Sequence, residues 1–250
     1  MKRIHITGTP IDKVSADEAA LWVLARYKSG IRTKEAPVNA AIIAMAARDP
    51  IFQSSLKEFD LVIADGFWPA LSATFLNKSR FPHANTSPFL KALFRNSSPN
   101  GLSVFLLGAQ PELVEKAAKN LRNFHPNALV VGYRDGYFDL QEEGEIVNLI
   151  NESEAKVLLI GISSPKKEYF IKRHWAQLNT PISIGVGGQF DIWAGNIKEA
   201  PSWIRKCGFE WFFRLCQEPK RLWERYSITN LRFTLLVLNQ AFTMLFRGKR

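Results

Sequence analysis

Residues 182–201 read ISIGVGGQFDIWAGNIKEAP. An apolar, β-branched run carrying Ile182, Ile184 and Val186 ends in Gly187 and Gly188, and Asp191 follows at once. In an open α/β sheet, ligands bind beyond the carboxyl ends of the strands. Glycine there lets a ligand approach the backbone closely. The stretch therefore fits a nucleotide or sugar site with Asp191 as its polar anchor; a tight strand-to-helix turn uses the same residues. LVIADG places Asp65 and Gly66 at the end of another apolar run. An aspartate so placed can take a proton from a substrate hydroxyl as a general base, or it can cap the helix that follows. In VLLIGISSPKKE, Gly161, Ser163 and Ser164 precede Lys166 and Lys167. Backbone N–H groups, hydroxyls and ammonium groups on one loop suit a diphosphate. Two lysines on a solvated helix start would look the same. SVFLLGAQPE puts Gly108 before a Pro-started helix, which suits contact with an anion. In GYRDGYF, Asp135 and Gly136 form a turn, and Tyr137 is either a stacking surface for a base or a core aromatic. Neither GxGxxG nor GxxxxGK[ST] occurs, which argues against a dinucleotide fold and a P-loop.

Positioning these loops needs a sheet. Apolar runs at 61–64, 103–107, 129–132, 157–162 and 182–186 read as strands. Helical patterns lie between them at 40–48, 69–76, 88–94, 111–124, 142–151 and 166–178, several begun by Pro or an acidic residue. The chain opens as a short strand, a turn, and a helix capped near Ser15. Strands alternating with helices predict βαβ units and a largely parallel sheet of Rossmann-like α/β type. Continuous rather than alternating apolar strands fit a sheet covered on both faces. After about residue 200 strands give way to Trp, Phe, Leu, Arg and Lys, so we expect an α/β body over 1–200 and a helical basic appendage over 201–250.

With 250 residues and 46% hydrophobic composition the chain can bury a sizeable core, and 22% charged residues make it globular rather than disordered. The net charge of +10 asks for an anionic partner. Its placement favours a membrane surface. In the appendage Arg214, Lys220, Arg221 and Arg225 interleave with Trp211, Phe212, Phe213, Trp223 and Tyr226, and Leu231, Leu235, Leu238, Phe242 and Leu245 follow at three-to-four spacing. A basic amphipathic helix with aromatics lies in a membrane interface, or packs on the body or another subunit. The stretch is too interrupted to span a bilayer. No helix-turn-helix, zinc finger or RNA-recognition motif supports nucleic acid. Cys207 and Cys216 form no metal-binding cluster and fit a reducing cytoplasm. The amino terminus lacks the apolar core of a signal peptide.

Taken in order, VNAAIIAMAARDP, DLVIADG, VFLLGAQPE, GYRDGYF, LLIGISSPKKE and GVGGQFDIWAGNIKEAP running into FEWFFRLCQEPKRLWERY resemble the WecG/TagA/CpsF family of bacterial glycosyltransferases over nearly the whole chain. The resemblance implies an inverting transferase without bound metal or other cofactor. It would move a sugar, of N-acetylmannosamine type or another hexose, from a UDP-sugar to a polyprenyl-diphosphate-linked saccharide. It would act in cell-surface polysaccharide synthesis, peripherally on the cytoplasmic face of the membrane, with self-association open. By the same resemblance Asp65 is the base, Asn39 positions substrate, and His83 stands in the catalytic group. Tyr137 would stack on uracil, Asp191 would accept from the base or ribose, and Gly161–Lys167 would line the diphosphate. Arg214, Arg221 and Arg225 would close over the pocket or meet lipid phosphate.

Five positions depart from the family pattern: Pro37 replaces a threonine, His83 an arginine, Pro88 an aspartate, Lys167 a glutamine, and Glu199 a basic residue. They cluster where donor sugar and diphosphate are expected, and Lys167 would supply the charge that His83 no longer guarantees. Two rivals remain at this level. One is a non-catalytic nucleotide-binding protein on the membrane, scaffolding a polysaccharide assembly complex. The other is a nucleotide-dependent oxidoreductase, which the missing GxGxxG disfavours.

Overall fold

A computed structural model describes residues 1–247, with the side chains of 202, 206, 221, 224–227 and 247 outside that description. Arg221 and Arg225, expected at lipid phosphate, therefore lie outside the described side chains. In chain order the elements are β1 (Lys2–Ile6), β2 (Thr9–Lys13), α1 (Ala16–Lys28), β3 (Thr33–Val38), α2 (Ala40–Ala46), α3 (Pro50–Lys57), β4 (Leu61–Ala64), α4 (Phe67–Asn77), α5 (Thr86–Arg95) and β5 (Leu102–Gly108). They continue as α6 (Pro111–Phe124), β6 (Ala128–Arg134), α7 (Glu143–Glu152), β7 (Val157–Gly161), α8 (Lys166–His174), β8 (Ile182–Gly185), α9 (Gln189–Trp193), α10 (Ser202–Lys206), α11 (Glu210–Gln217) and α12 (Pro219–Arg247).

Six strands form one all-parallel sheet in the order β4-β3-β8-β7-β5-β6. This is the predicted α/β architecture. Successive strand residues point to opposite faces, and both faces are buried. Val62, Phe105, Leu107, Leu158 and Ile160 join a core under α2, α3, α4, α7, α8 and α12. Leu61, Ile63, Val104, Leu106, Leu159 and Ile184 join the other, under α1, α5, α6 and α9. That is why these strands read as unbroken apolar runs.

Two strands escape the sequence pattern. β2 pairs antiparallel with β1, so the expected strand and turn are a two-stranded hairpin. Asp12 in it is ion-paired with Arg3 and accepts the Val62 N–H at 2.8 Å, which docks the hairpin on β4. β3, sequence TKEAPV, sits second from the sheet edge despite Glu35 and Pro37. Asp60 and Asp65 donate N–H groups to the Lys34 and Val38 carbonyls, so even-numbered residues of β3 bond toward β4. The N–H that Pro37 lacks would thus face β8. The last β3–β8 pair is Glu35–Ile184, so no ladder bond is missing there.

The appendage is α10–α12. Phe233 and Val237 of α12 are buried in the first core, and Gln240 accepts the Thr7 N–H and donates to the His5 carbonyl. The stripe of Leu231, Leu235, Leu238, Phe242 and Leu245 found by spacing faces outward and is exposed. The helix is apolar on two sides, and the less conspicuous side is the one that docks. Among the described residues no helix is long and apolar enough to cross a membrane.

Candidate functional site

Parallel strands deliver their carboxyl ends to one edge, and β4, β3, β8, β7 and β5 bring the chemical residues there in that order across the sheet. Asp65 follows β4. Its N–H bonds the Val38 carbonyl at 3.0 Å, which sets it beside Asn39 at the end of β3. Asn39 caps α2 by accepting the Ile42 N–H at 3.1 Å through Oδ1, so its amide hydrogens stay available as donors. Asp65 is not a helix cap for α4, whose N-terminal residue Gly66 (φ +99°) has no capping side chain. Instead Asp65 Oδ1 accepts from the Thr86 N–H at 3.0 Å and the Thr86 hydroxyl at 3.2 Å.

Asn85, preceding Thr86, is a residue that sequence motifs did not disclose. Its Oδ1 accepts the Gly66 N–H at 2.9 Å and lies 3.3 Å from His83 Nδ1. Its amide donates to Glu210 Oε2 of α11 at 2.7 Å. One amide thus fastens both sides of the Asp65 loop, brings His83 to it, and ties it to the appendage. Burial, and after it the Asp65 charge, raises the Glu210 carboxyl above the usual carboxylate range; Arg214 and the Asn85 bond oppose this. Arg214 also reaches the Gly188 carbonyl at 3.4 Å. A Cβ on Gly188 would lie 2.8 Å from that guanidinium, so the tip of Arg214 rests close over the glycine.

The glycines divide into two kinds. A Cβ on Gly108 would lie 2.5 Å from the Gly161 carbonyl carbon, and one on Gly136 would lie 3.0 Å from Gly108 Cα. A Cβ on Gly161 would lie 2.6 Å from the Phe190 ring. These three make room for one another and for a core aromatic. Gly187 (φ +53°) is different, since a Cβ there would meet nothing within 4 Å. It leaves open space on the edge where a ligand would sit. Asp191 lies one helical turn on, in α9, and its carbonyl accepts from Asn196 and Ile197. Tyr137 is exposed and follows the Asp135 turn, with its N–H bonded to Asp135 Oδ1.

At the end of β7 the cations point inward. Lys167, only 5% exposed, contacts Glu168 Oε1 at 2.5 Å and bonds the Ser164 hydroxyl. Ser164 donates to the same Glu168 oxygen at 2.8 Å. Lys166 donates to the Phe138 carbonyl at 2.5 Å. Pro37 and Lys167 meet over Gly185, where a Cβ would lie 2.7 Å from Pro37 Cδ and 2.9 Å from Lys167 Cε. Two of the departures are therefore neighbours. Beneath them lies Glu35, buried, with neither carboxyl oxygen in a hydrogen bond of normal geometry. Burial and then the Asp65 charge push its carboxyl well above the usual range; Lys167 and the Gly185 N–H only partly offset them. Another departure, Glu199, is structural. It binds Lys91 at 2.8 Å, the Ser87 hydroxyl and Arg205, joining α5 to α10. Among the described residues no three His, Cys, Asp or Glu side chains form a group able to hold a metal ion.

The sequence profile described as "Glycosyl transferase WecG/TagA/CpsF family" matches residues 4–246. One relative, from Bacillus subtilis (strain 168), is described as an N-acetylglucosaminyldiphosphoundecaprenol N-acetyl-beta-D-mannosaminyltransferase. It is 27% identical over 199 residues, which are 80% of this chain and 77% of the relative.

Proposed function

The chain belongs to the WecG/TagA/CpsF family and is a glycosyltransferase, and from that premise we propose that it transfers a hexose, of N-acetylmannosamine type, from a UDP-sugar to a polyprenyl-diphosphate-linked saccharide. The observation that carries this is the setting of Asp65. It stands at the carboxyl edge of the sheet, bonded by Thr86 through Oδ1 alone, with Asn39, His83 and the appendage residues Glu210 and Arg214 around its loop. Oδ2 takes the proton of the acceptor hydroxyl while that oxygen attacks the anomeric carbon. The bond from that carbon to the UDP oxygen breaks on the opposite side, its electron pair leaves with the diphosphate, and configuration inverts. Tyr137 stacks on uracil, and Asp191 accepts from the base or ribose. Arg214 is the cation best placed to balance the charge that develops on the leaving group, because Lys166 and Lys167 are engaged elsewhere.

The work belongs to cell-surface polysaccharide synthesis at the membrane surface, where the acceptor resides, and the name of the Bacillus relative supports the donor and acceptor class. The test is UDP release across a panel of UDP-sugars, with a short-chain polyprenyl-diphosphate N-acetylglucosamine acceptor in detergent. Acceptor-dependent release with one donor is the expected result and names the sugar. Silence across the panel with UDP still bound would favour the non-catalytic scaffold instead.

A further inference from the structure

Helix α4 begins two residues after Asp65, and its sequence FWPALSATFLN carries no charge. Pro69, Ala70, Ser72, Ala73 and Leu76 face the body. Phe67, Trp68, Leu71 and Phe75 are 37%, 37%, 44% and 60% exposed. At about 100° per residue these four fall within an arc of roughly 100°. A water-facing helix seldom keeps four large apolar side chains on one stripe, and such a patch marks a contact surface. A Cβ on Gly208 would lie 2.5 Å from the Phe67 ring, so the α10–α11 turn packs against the start of the helix. In the segment that carries Gly208, Trp203, Phe209, Phe212 and Trp223 are also exposed. At its other end α4 runs into Lys78, Ser79 and Arg80, all exposed, and among the described residues neither Lys78 nor Arg80 is in an ion pair.

We propose that the outer face of α4 docks on an anionic lipid bilayer, inserting Trp68, Leu71 and Phe75 among the headgroups while Lys78 and Arg80 meet lipid phosphate. Aromatic and aliphatic side chains beside cations suit the bilayer interface. A second copy of the chain fits less well. A two-fold contact sets the same patch against itself, and residues 66–80 hold no acidic side chain to pair with the facing Lys78 and Arg80. The consequence concerns the active edge. With α4 on the bilayer, Asp65 lies about one helical turn from the headgroups, where a diphosphate-linked sugar is presented. The proposal takes its lipid acceptor from the function proposed above, yet its readout involves no sugar chemistry.

The test uses the full chain and vesicles of phosphatidylglycerol with phosphatidylethanolamine, read by co-sedimentation. Wild type binds. Leu71→Glu/Phe75→Glu lowers the partition coefficient about tenfold or more, and Lys78→Glu/Arg80→Glu lowers it several-fold, a difference that disappears in high salt. UDP affinity and circular dichroism stay as in wild type, since these positions lie on the surface. A second readout places an environment-sensitive dye on Leu71→Cys in a Cys207→Ser/Cys216→Ser background. Its emission shifts to the blue on vesicles, whereas the same dye on Leu149→Cys in α7 does not shift. Failure of wild type to bind, or equal binding by the Leu71/Phe75 variant, overturns the proposal. So does a change in oligomeric state in that variant with vesicle binding intact, which assigns the face to a second copy. Vesicle binding that depends on α4 in a protein without transferase activity would refute the function proposed above and leave this one standing.

Discussion

The loops after β4 and β7 lie on the same edge of the sheet and treat their charges in opposite ways. After β4, Asp65 is held by neutral donors from Thr86, and its loop is braced by Asn85, which the appendage grips through Glu210. After β7, Lys167 is closed off by Glu168 and Ser164, and Lys166 by a backbone carbonyl. One loop leaves an acid's second oxygen outside these bonds; the other spends its cations on the fold. Spacing places lysines on a loop but says nothing of what buried acids lie beneath it. Glu168 and Glu35 are buried there, and an unpaired charge in such a place is strongly destabilising.

The largest effect should come from the β4 side. Asp65→Ala is expected to lower kcat by about 10²–10⁴-fold, the usual worth of a positioned general base, with UDP affinity by calorimetry within about twofold of wild type. A fall of less than about tenfold would remove the distinction between the two loops. Lys167→Met tests the other side. Leaving Glu168 buried without its cation should cost about 3–5 kcal/mol of stability, seen as a drop of roughly 10 °C in Tm, with UDP affinity unchanged. A loss of UDP affinity in a protein of normal Tm would mean that Lys167 turns out to meet the diphosphate, and the comparison would break there.

The brace between loop and appendage should show a smaller effect with a distinctive form. Asn85→Ala and Glu210→Ala are each expected to lower kcat about tenfold with donor KM little changed. The double variant should be no worse than either, because both remove one link. Glu210→Gln keeps an acceptor oxygen for the Asn85 amide and should retain near-normal kcat. Additive losses would show two separate roles in place of one brace.

Legibility in the sequence followed the same division. β4, β5, β7 and β8 were readable because a sheet buried on both faces makes each strand a continuous apolar run. β3 was not, since Glu35 and Pro37 break that run and only the register explains how Pro37 is accommodated. Asp65 was readable from its place after an apolar run, Asn39 and His83 only through the family resemblance, and the fold sets all three near the ends of β3 and β4. Asn85 and Glu210 were not, because 125 positions separate them and neither belongs to a local chemical motif. In α12 the conspicuous leucine spacing marked the outward face, while the docking face rests on Phe233, Val237 and one glutamine, too sparse a pattern to read.

Glu35 joins the two loops, since Asp65 and Lys167 act on it with opposite sign. Its folded pKa is raised well above 4.5, by burial first and Asp65 second. Between 4.5 and the raised value the native state therefore holds more protons than the unfolded chain, and stability falls as pH rises through that window. Glu35→Gln deletes the titration and keeps the shape. At pH 8 it should raise Tm, and the gain should shrink toward zero as pH falls below 4.5, where wild-type Glu35 becomes protonated in both states. Thermal unfolding at several pH values measures this directly. A variant less stable than wild type at pH 8 would mean that Lys167 holds Glu35 as a carboxylate. The ammonium would then serve two acids rather than Glu168 alone, and the β7 loop would be coupled by charge to Asp65.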